Sequence, residues 1–210
     1  MRKLCVTAAL VGLIWSGAGL AQANTITGNL WHVPEAISQN AIPGNVPVTT
    51  PDVTFSVNSP FNFSGSSTTV GNWLASSSAF NIVENTAGTL ASLMDNGTSG
   101  TLLNFTGFVS VTNGQTFTVT HDDGLTLIIN GVDLGFNPGP TAPTTTTLTY
   151  TGATGNFPFQ LVYGECCGGP AVLQISLPLS NTPAVPEPST WLLLGSGLAG
   201  LAAWRRTHRG

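Results

Sequence analysis

Three dipeptides, Asn113-Gly114, Asp123-Gly124 and Asn130-Gly131, interrupt a series of short β-branched segments and constrain this chain more than any other feature. Asn-Gly and Asp-Gly supply the positive backbone φ that a tight type I′ turn requires, so the flanking segments are predicted to return on one another as antiparallel strands. Alternating or β-branched segments fall at 53–57, 102–111, 116–121, 125–129, 145–151, 157–163 and 171–177. Short strands at this spacing, with turn signals between them, are the pattern of an all-β antiparallel β-sandwich of jelly-roll-like form. Within 105–131, Val109, Val111, Phe117, Val119, Leu125 and Leu127 are the expected inward-facing residues. Only 84–94 reads as mildly helical, with Leu90, Leu93 and Met94 on one face and Asn96-Gly97 ending the turn.

Charge is distributed unevenly. Only 7% of the 210 residues are charged, and all five basic ones, Arg2, Lys3, Arg205, Arg206 and Arg209, stand near the ends. From Asn24 to Ala184 the acidic residues are Glu35, Asp52, Glu84, Asp95, Asp122, Asp123, Asp133 and Glu165, with no Lys or Arg among them. A domain of that kind has no electrostatic grip on phosphate backbones, which excludes nucleic acid as a partner. Its carboxylates must instead be solvated, hydrogen-bonded or satisfied by a bound cation.

The terminal segments read as addresses. Arg2 and Lys3, an apolar run to Leu20 and Ala21-Gln22-Ala23 make 1–23 a secretory signal helix with the mature start at Asn24, the alternative being an uncleaved anchor. Residues 181–189 form a Pro-rich linker, extended because Pro183, Pro186 and Pro188 remove donors and restrict their predecessors. Beyond it, 190–210 reads as a short transmembrane helix bracketed by Trp191 and Trp204 and stopped by arginines; fifteen uncharged residues span about 22 Å as a helix. Val185-Pro186-Glu187-Pro188, the apolar helix and the cluster with Arg205 and Arg206 together resemble the PEP-CTERM sorting signal. That resemblance implies handling by an exosortase, with an inner-membrane intermediate and final residence at the cell surface or in an exopolysaccharide matrix; a plain membrane anchor is the alternative.

A second resemblance lies in the middle of the chain. Phe117 and Val119, then Asp122-Asp123-Gly124, then Leu127-Ile128-Ile129-Asn130-Gly131 are similar to the protective-antigen-like domain, a β-sandwich of toxins, glycosidases and adhesins. The segment 155–175 resembles that family's closing hairpin around a Gly-rich loop. In sugar-binding members, paired aspartates joined by a cis peptide hold a calcium ion that ligates saccharide hydroxyls, and Asp122 and Asp123 match that pair. The family also supplies a side-chain ligand from the closing loop, where this chain has no asparagine between Gly164 and Ala171; Glu165 or loop carbonyls would substitute. Adjacent carboxylates repel one another, and a hard cation with oxygen ligands relieves that repulsion. Read without the resemblance, Asp122-Asp123-Gly124 is equally a hairpin turn.

His121, Glu165, Cys166 and Cys167 are the expected ligand-binding neighbours of the pair. In the exported chain Cys166 and Cys167 are the remaining cysteines, and the open readings are a vicinal disulfide offering an apolar plate to a sugar ring, an intermolecular bridge, or free thiols. Trp31 and Trp73 read as core aromatics, or as stacking platforms for sugars. His32 and His121 without a second Cys pair do not make a zinc site. No Gly-x-Ser-x-Gly elbow is present and adjacent Asp122 and Asp123 cannot flank a glycosidic bond, so the expectation is a non-catalytic, calcium-assisted carbohydrate-binding or adhesion module. The alternative is a ligand-free structural protein of a biofilm matrix. Replacing Glu187 and Pro188 by alanine is expected to hold the protein in the inner membrane on cell fractionation; release at the normal level would defeat the sorting reading.

Overall fold

Eleven strands and two short helices make up residues 25–180, the part of the chain that the computed structural model describes. The expected signal helix 1–23, the linker with Val185, Pro186, Glu187 and Pro188, and the anchor with Arg205 and Arg206 lie outside the described residues. Among the described residues no helix is long and apolar enough to cross a membrane. The strands are β1 (Ile26–Pro34), β2 (Val53–Val57), β3 (Phe61–Gly65), β4 (Phe80–Glu84), β5 (Ser99–Val111), β6 (Thr116–Asp122), β7 (Leu125–Ile129), β8 (Val132–Asp133), β9 (Thr144–Thr149), β10 (Gly155–Glu165) and β11 (Ala171–Ile175). The helices are α1 (Glu35–Ser38) and α2 (Val70–Ser76).

Two antiparallel sheets face one another, as the all-β sandwich reading expects. The larger has the order β4-β2-β1-β5-β10-β7-β8 and the smaller β3-β11-β6-β9. Side-chain alternation assigns the faces: Phe117, Val119 and His121 of β6 are buried while Thr116 and Thr118 are exposed. All six residues expected to face inward between Val109 and Leu127 are buried.

An aromatic seam fills the space between the sheets. Phe63 stacks on Trp73 with ring centroids 4.2 Å apart, Phe61 stacks on Phe105 at 5.5 Å, and Trp73 lies parallel to Tyr163 at 5.8 Å. Trp73 arrives there on α2, whose buried Val70, Trp73 and Leu74 follow the i, i+3, i+4 spacing of one helical face and whose first turn is capped by the Thr69 hydroxyl. The Trp73 indole N–H donates to the Ala171 carbonyl at 3.2 Å, and that of Trp31 to the Thr49 carbonyl at 3.1 Å. Both tryptophans are core residues, and neither is a sugar platform.

Three local expectations are corrected. Of the three turn dipeptides only Asn130-Gly131 closes a hairpin, between β7 and β8; Asn113-Gly114 and Asp123-Gly124 carry the chain from one sheet to the other. The supposed closing hairpin likewise joins β10 of the large sheet to β11 of the small one. A tight turn fixes a reversal of direction, and whether the next strand pairs or crosses is decided by which sheet buries its apolar face. The segment 84–94 is no helix: β4 ends at Glu84 and only a 3₁₀ turn, Thr89–Ala91, follows. Leu90 and Met94 pack against the core there but Leu93 is 41% exposed, so the three apolar residues do not share one face.

Truncating Trp73 to alanine removes the centre of the seam and one buried donor. The expected cost is about 3–5 kcal/mol, read as a lower urea midpoint at unchanged slope.

Candidate functional site

The sheet crossovers at Asp123-Gly124 and after β10 lie against each other, and between them they build the candidate site. Gly124 accepts a hydrogen bond from Gly164 N–H at 3.0 Å. Neither position has room for a side chain: a Cβ on Gly124 would meet the Pro138 carbonyl oxygen at 2.0 Å, and one on Gly164 the Ser38 carbonyl oxygen at 2.1 Å. These close backbone approaches bring α1, the 137–143 loop and the two crossovers into one cluster.

Asp122 ends β6 and is joined to Asp123 by a cis peptide bond. Both side chains are 4% exposed and form the floor of an open groove of about 390 Å³, walled by 140–143 on one side and 167–170 on the other. Asp123 is held rigidly: Thr141 N–H donates to its Oδ1 at 3.1 Å and Cys166 N–H to its Oδ2 at 2.9 Å. Among the described residues no backbone N–H donates to the Asp122 carboxylate, and burial together with the neighbouring Asp123 charge pushes its carboxyl up to about 7.

The far wall is pinned by acids. Cys166 N–H donates to Asp123, Cys167 N–H to Glu35 Oε1 at 3.1 Å, and Gly168 N–H to Asp95 Oδ2 at 2.8 Å. Three successive amides thus meet three carboxylates from different parts of the chain. Positive φ at Cys167 (65°) and Gly168 (92°) turns the loop so that its amides can fan out in this way.

Behind the loop lies Glu165, only 1% exposed, beside a second, smaller cavity of about 100 Å³ that Asp95 also lines. The Tyr163 hydroxyl contacts the Asp122 carbonyl oxygen and also Glu165 Oε2, the latter at 2.7 Å. A single hydroxyl proton cannot serve both acceptors. Burial pushes the Glu165 carboxyl up to about 9 against the opposing effect of that hydroxyl, so Glu165 keeps its own proton at neutral pH and supplies the second bond.

The expected ligand-binding set therefore divides. Asp122, Asp123 and Cys167 reach the groove, whereas His121, Cys166 and Glu165 support it from behind. His121 is 1% exposed, with Nδ1 2.5 Å from the Asp123 carbonyl oxygen and Nε2 buried without a partner. A vicinal disulfide is not formed: Cys166 is a buried free thiol and Cys167 an exposed one, with Gln39 Nε2 at 3.5 Å from the Cys167 sulfur. Burial, followed by hydrogen bonding with the Cys167 thiol and with the Asp123 carboxylate, pushes the Cys166 thiol up, leaving it protonated and inert. Donor atoms of Asp123, Cys166 and Cys167 lie within 4.8 Å of one another, but protonated thiols are not ligands for a hard cation. Glu35, Asp95 and Thr141 were not anticipated; the signal available was acidic residues in a domain with no basic side chain to pair with.

The PA14 domain of the MpAFP antifreeze protein superposes with a TM-score of 0.51 at 22% identity, covering 80% of this chain and 85% of that one. A PA14 sugar-binding domain from an RTX adhesin gives 0.50 at 18% identity, covering 76% and 96%. The described domain is a PA14 fold. Residues 184–206 match the PEP-CTERM protein-sorting motif. That motif marks an exported protein sorted by way of the membrane to the cell surface and processed by an exosortase. Curated protein sequences contain no significant match to the chain. The likeness extends to the fold, and the two cited domains share too little sequence with this chain to carry more.

Glu165 gives a pH test in metal-free protein. Burial holds the folded-state carboxyl up at about 9 against its ordinary 4.5, so the folded state binds the proton more tightly and stability falls as pH rises toward 9. Between pH 8 and 9, above the titration of Asp122 at about 7, the parent is expected to lose up to about 1.4 kcal/mol, while Glu165→Gln, which still donates to Tyr163, stays flat. Parallel denaturation curves for the two proteins across that window would contradict the assignment.

Proposed function

We propose that the groove over Asp122 and Asp123 is a calcium-assisted carbohydrate-binding site and that the protein is a non-catalytic adhesion module delivered to the cell surface or its exopolysaccharide. The observation that carries this reading is the state of Asp122: a groove-floor carboxylate beside a second carboxylate, with no backbone N–H and, in the described domain, no Lys or Arg. Such a group needs either a proton or a cation.

The residues present fit calcium. Two carboxylates supply hard oxygen donors on the floor of a groove lined by residues 140–143 and 167–170, and Asp123 is already oriented by Thr141 and Cys166. When bound, calcium supplies coordination positions that vicinal sugar hydroxyls can take. Asp122 and Asp123 hold the charge, His121 and Tyr163 fix the two backbone carbonyls of the pair, and Glu35 and Asp95 keep the far wall at its distance. A PA14 domain described as sugar-binding shares the fold, which supports the ligand class. An exosortase acting near 185–188 would leave this module outside the membrane, where glycans are the abundant ligands.

Calorimetry is expected to show calcium binding that is lost, by at least tenfold in affinity, in the Asp122→Asn, Asp123→Asn double variant. Glycan-array signals should vanish on chelation and return with calcium. Calcium binding unchanged in the double variant would remove the metal site, and glycan binding indifferent to chelator would remove its role in recognition.

A further inference from the structure

The two sheets have four edges, and three are protected. At β4 the ladder with β2 is broken by a register shift between Thr54 and Ser56, and the strand ends on Glu84. Strand β8 has only two residues. Along β3, Asn62 N–H and Ser64 N–H are taken by the hydroxyls of Ser77 and Ser76, at 2.8 and 3.1 Å, at the end of α2. Bulges, charge, brevity and covering groups are the ordinary devices that stop sheets from adding strands.

The fourth edge, β9, has none of them. Its six residues, Thr-Thr-Thr-Thr-Leu-Thr, contain no charge, no proline and no glycine, and they pair with β6 in unbroken register from Thr116↔Thr149 to His121↔Thr144. The bond from Tyr150 N–H to the Gln115 carbonyl sets the phase of that ladder. Bonded pairs recur every second residue, so Thr144, Thr146 and Leu148 turn their amides toward β6 while Thr145, Thr147 and Thr149 turn theirs outward. Among the described residues no group bonds these outward amides and carbonyls. The inward-facing Thr144, Thr146 and Leu148 are only half-buried, because nothing lies beyond β9 to close the sandwich there.

We propose that β9 is a homotypic docking edge on which a second copy of this chain adds as an antiparallel strand. The arrangement is self-complementary. A two-fold axis at Thr147 sets Thr147 opposite itself and Thr145 opposite Thr149, so every outward-facing residue meets another in a bonded pair. None of the domain's carboxylates stands on β9, so two negatively charged copies meet there without juxtaposed charge. On the outer face the hydroxyl ladder already made by Thr118 with Thr147 and Thr120 with Thr145, both at 2.8 Å, would run on across the junction, and two four-stranded sheets would become one of eight. Two six-residue strands bury less than the roughly 1,600 Å² of a stable interface, so the pairing is weak in dilute solution and strengthens where many copies share one surface.

Sedimentation of the exported protein from micromolar to millimolar concentration tests this, with amide hydrogen exchange measured on the same samples. The expected result is a weight-average mass rising toward twofold, with added protection at Thr145, Thr147 and Thr149 and none at β4. Thr147→Lys places like charges across the axis and should abolish the rise while leaving the thermal midpoint within a few degrees; Val83→Lys on β4 should leave it intact. A mass that stays monomeric at millimolar concentration, association surviving in Thr147→Lys, or new protection on another edge would each overturn the proposal. Should Thr147→Lys not fold, the exchange pattern of the unmodified protein decides alone.

Discussion

Hydrogen bonds from backbone amides to carboxylates hold this domain in the arrangement that matters. With no lysine or arginine between residues 24 and 184, six of the eight acids there find main-chain donors instead. Asp52 takes His32 N–H, Glu84 takes Leu90 N–H and Asp133 takes Gly135 N–H. Glu35, Asp95 and Asp123 take the amides of the groove wall. Charge-assisted bonds of this kind are shorter and stronger than neutral ones, and they stabilise loops that have little apolar surface to bury. Asp122 and Glu165 are the two left without a backbone donor, and both are shifted upward in pKa. The unusual titration of the site is thus the remainder of a satisfaction scheme that covers the rest of the domain.

Placement of the groove follows from topology. A sandwich whose strands pass from sheet to sheet must expose crossovers at its ends, and here Asp123-Gly124 and the segment after β10 pass at the same end. Glycines at 124 and 164 let the two backbones touch, so that carboxylates from one crossover reach amides of the other. Rigid strands thereby position a site made of loops, which is how precise binding geometry is usually built on β scaffolds.

Much of this was legible in the sequence. Alternation gave the inward faces of β6 and β7 residue by residue, and the lack of basic residues marked the acids as groups needing other partners. Asp122 and Asp123 stood out because two adjacent carboxylates without a counter-charge are costly wherever the fold places them. The partners of the sheets were not legible: Asn113-Gly114 and Asp123-Gly124 look like hairpin turns, and local chemistry cannot tell a reversal within one sheet from a step between two. Glu35 and Asp95 were equally hidden, since their roles depend on contacts with a loop far along the chain. The tryptophans illustrate the opposite case, ordinary burial preference placing both in the core. A region of mixed Gly, Thr and Leu after β4 lacked any period strong enough to fix its form, and it adopts a single 3₁₀ turn.

The clamp on the groove wall bears on the order in which the molecule assembles. Glu35 and Cys167 are separated by 132 positions, Asp95 and Gly168 by 73, and Asp123 and Cys166 by 43. Long loops must close before such contacts can form, and closure entropy makes them late. The groove wall therefore comes into being only once the chain has emerged through Gly168 and met itself, so a shortened product lacking either end of the domain would carry strands but no walled groove.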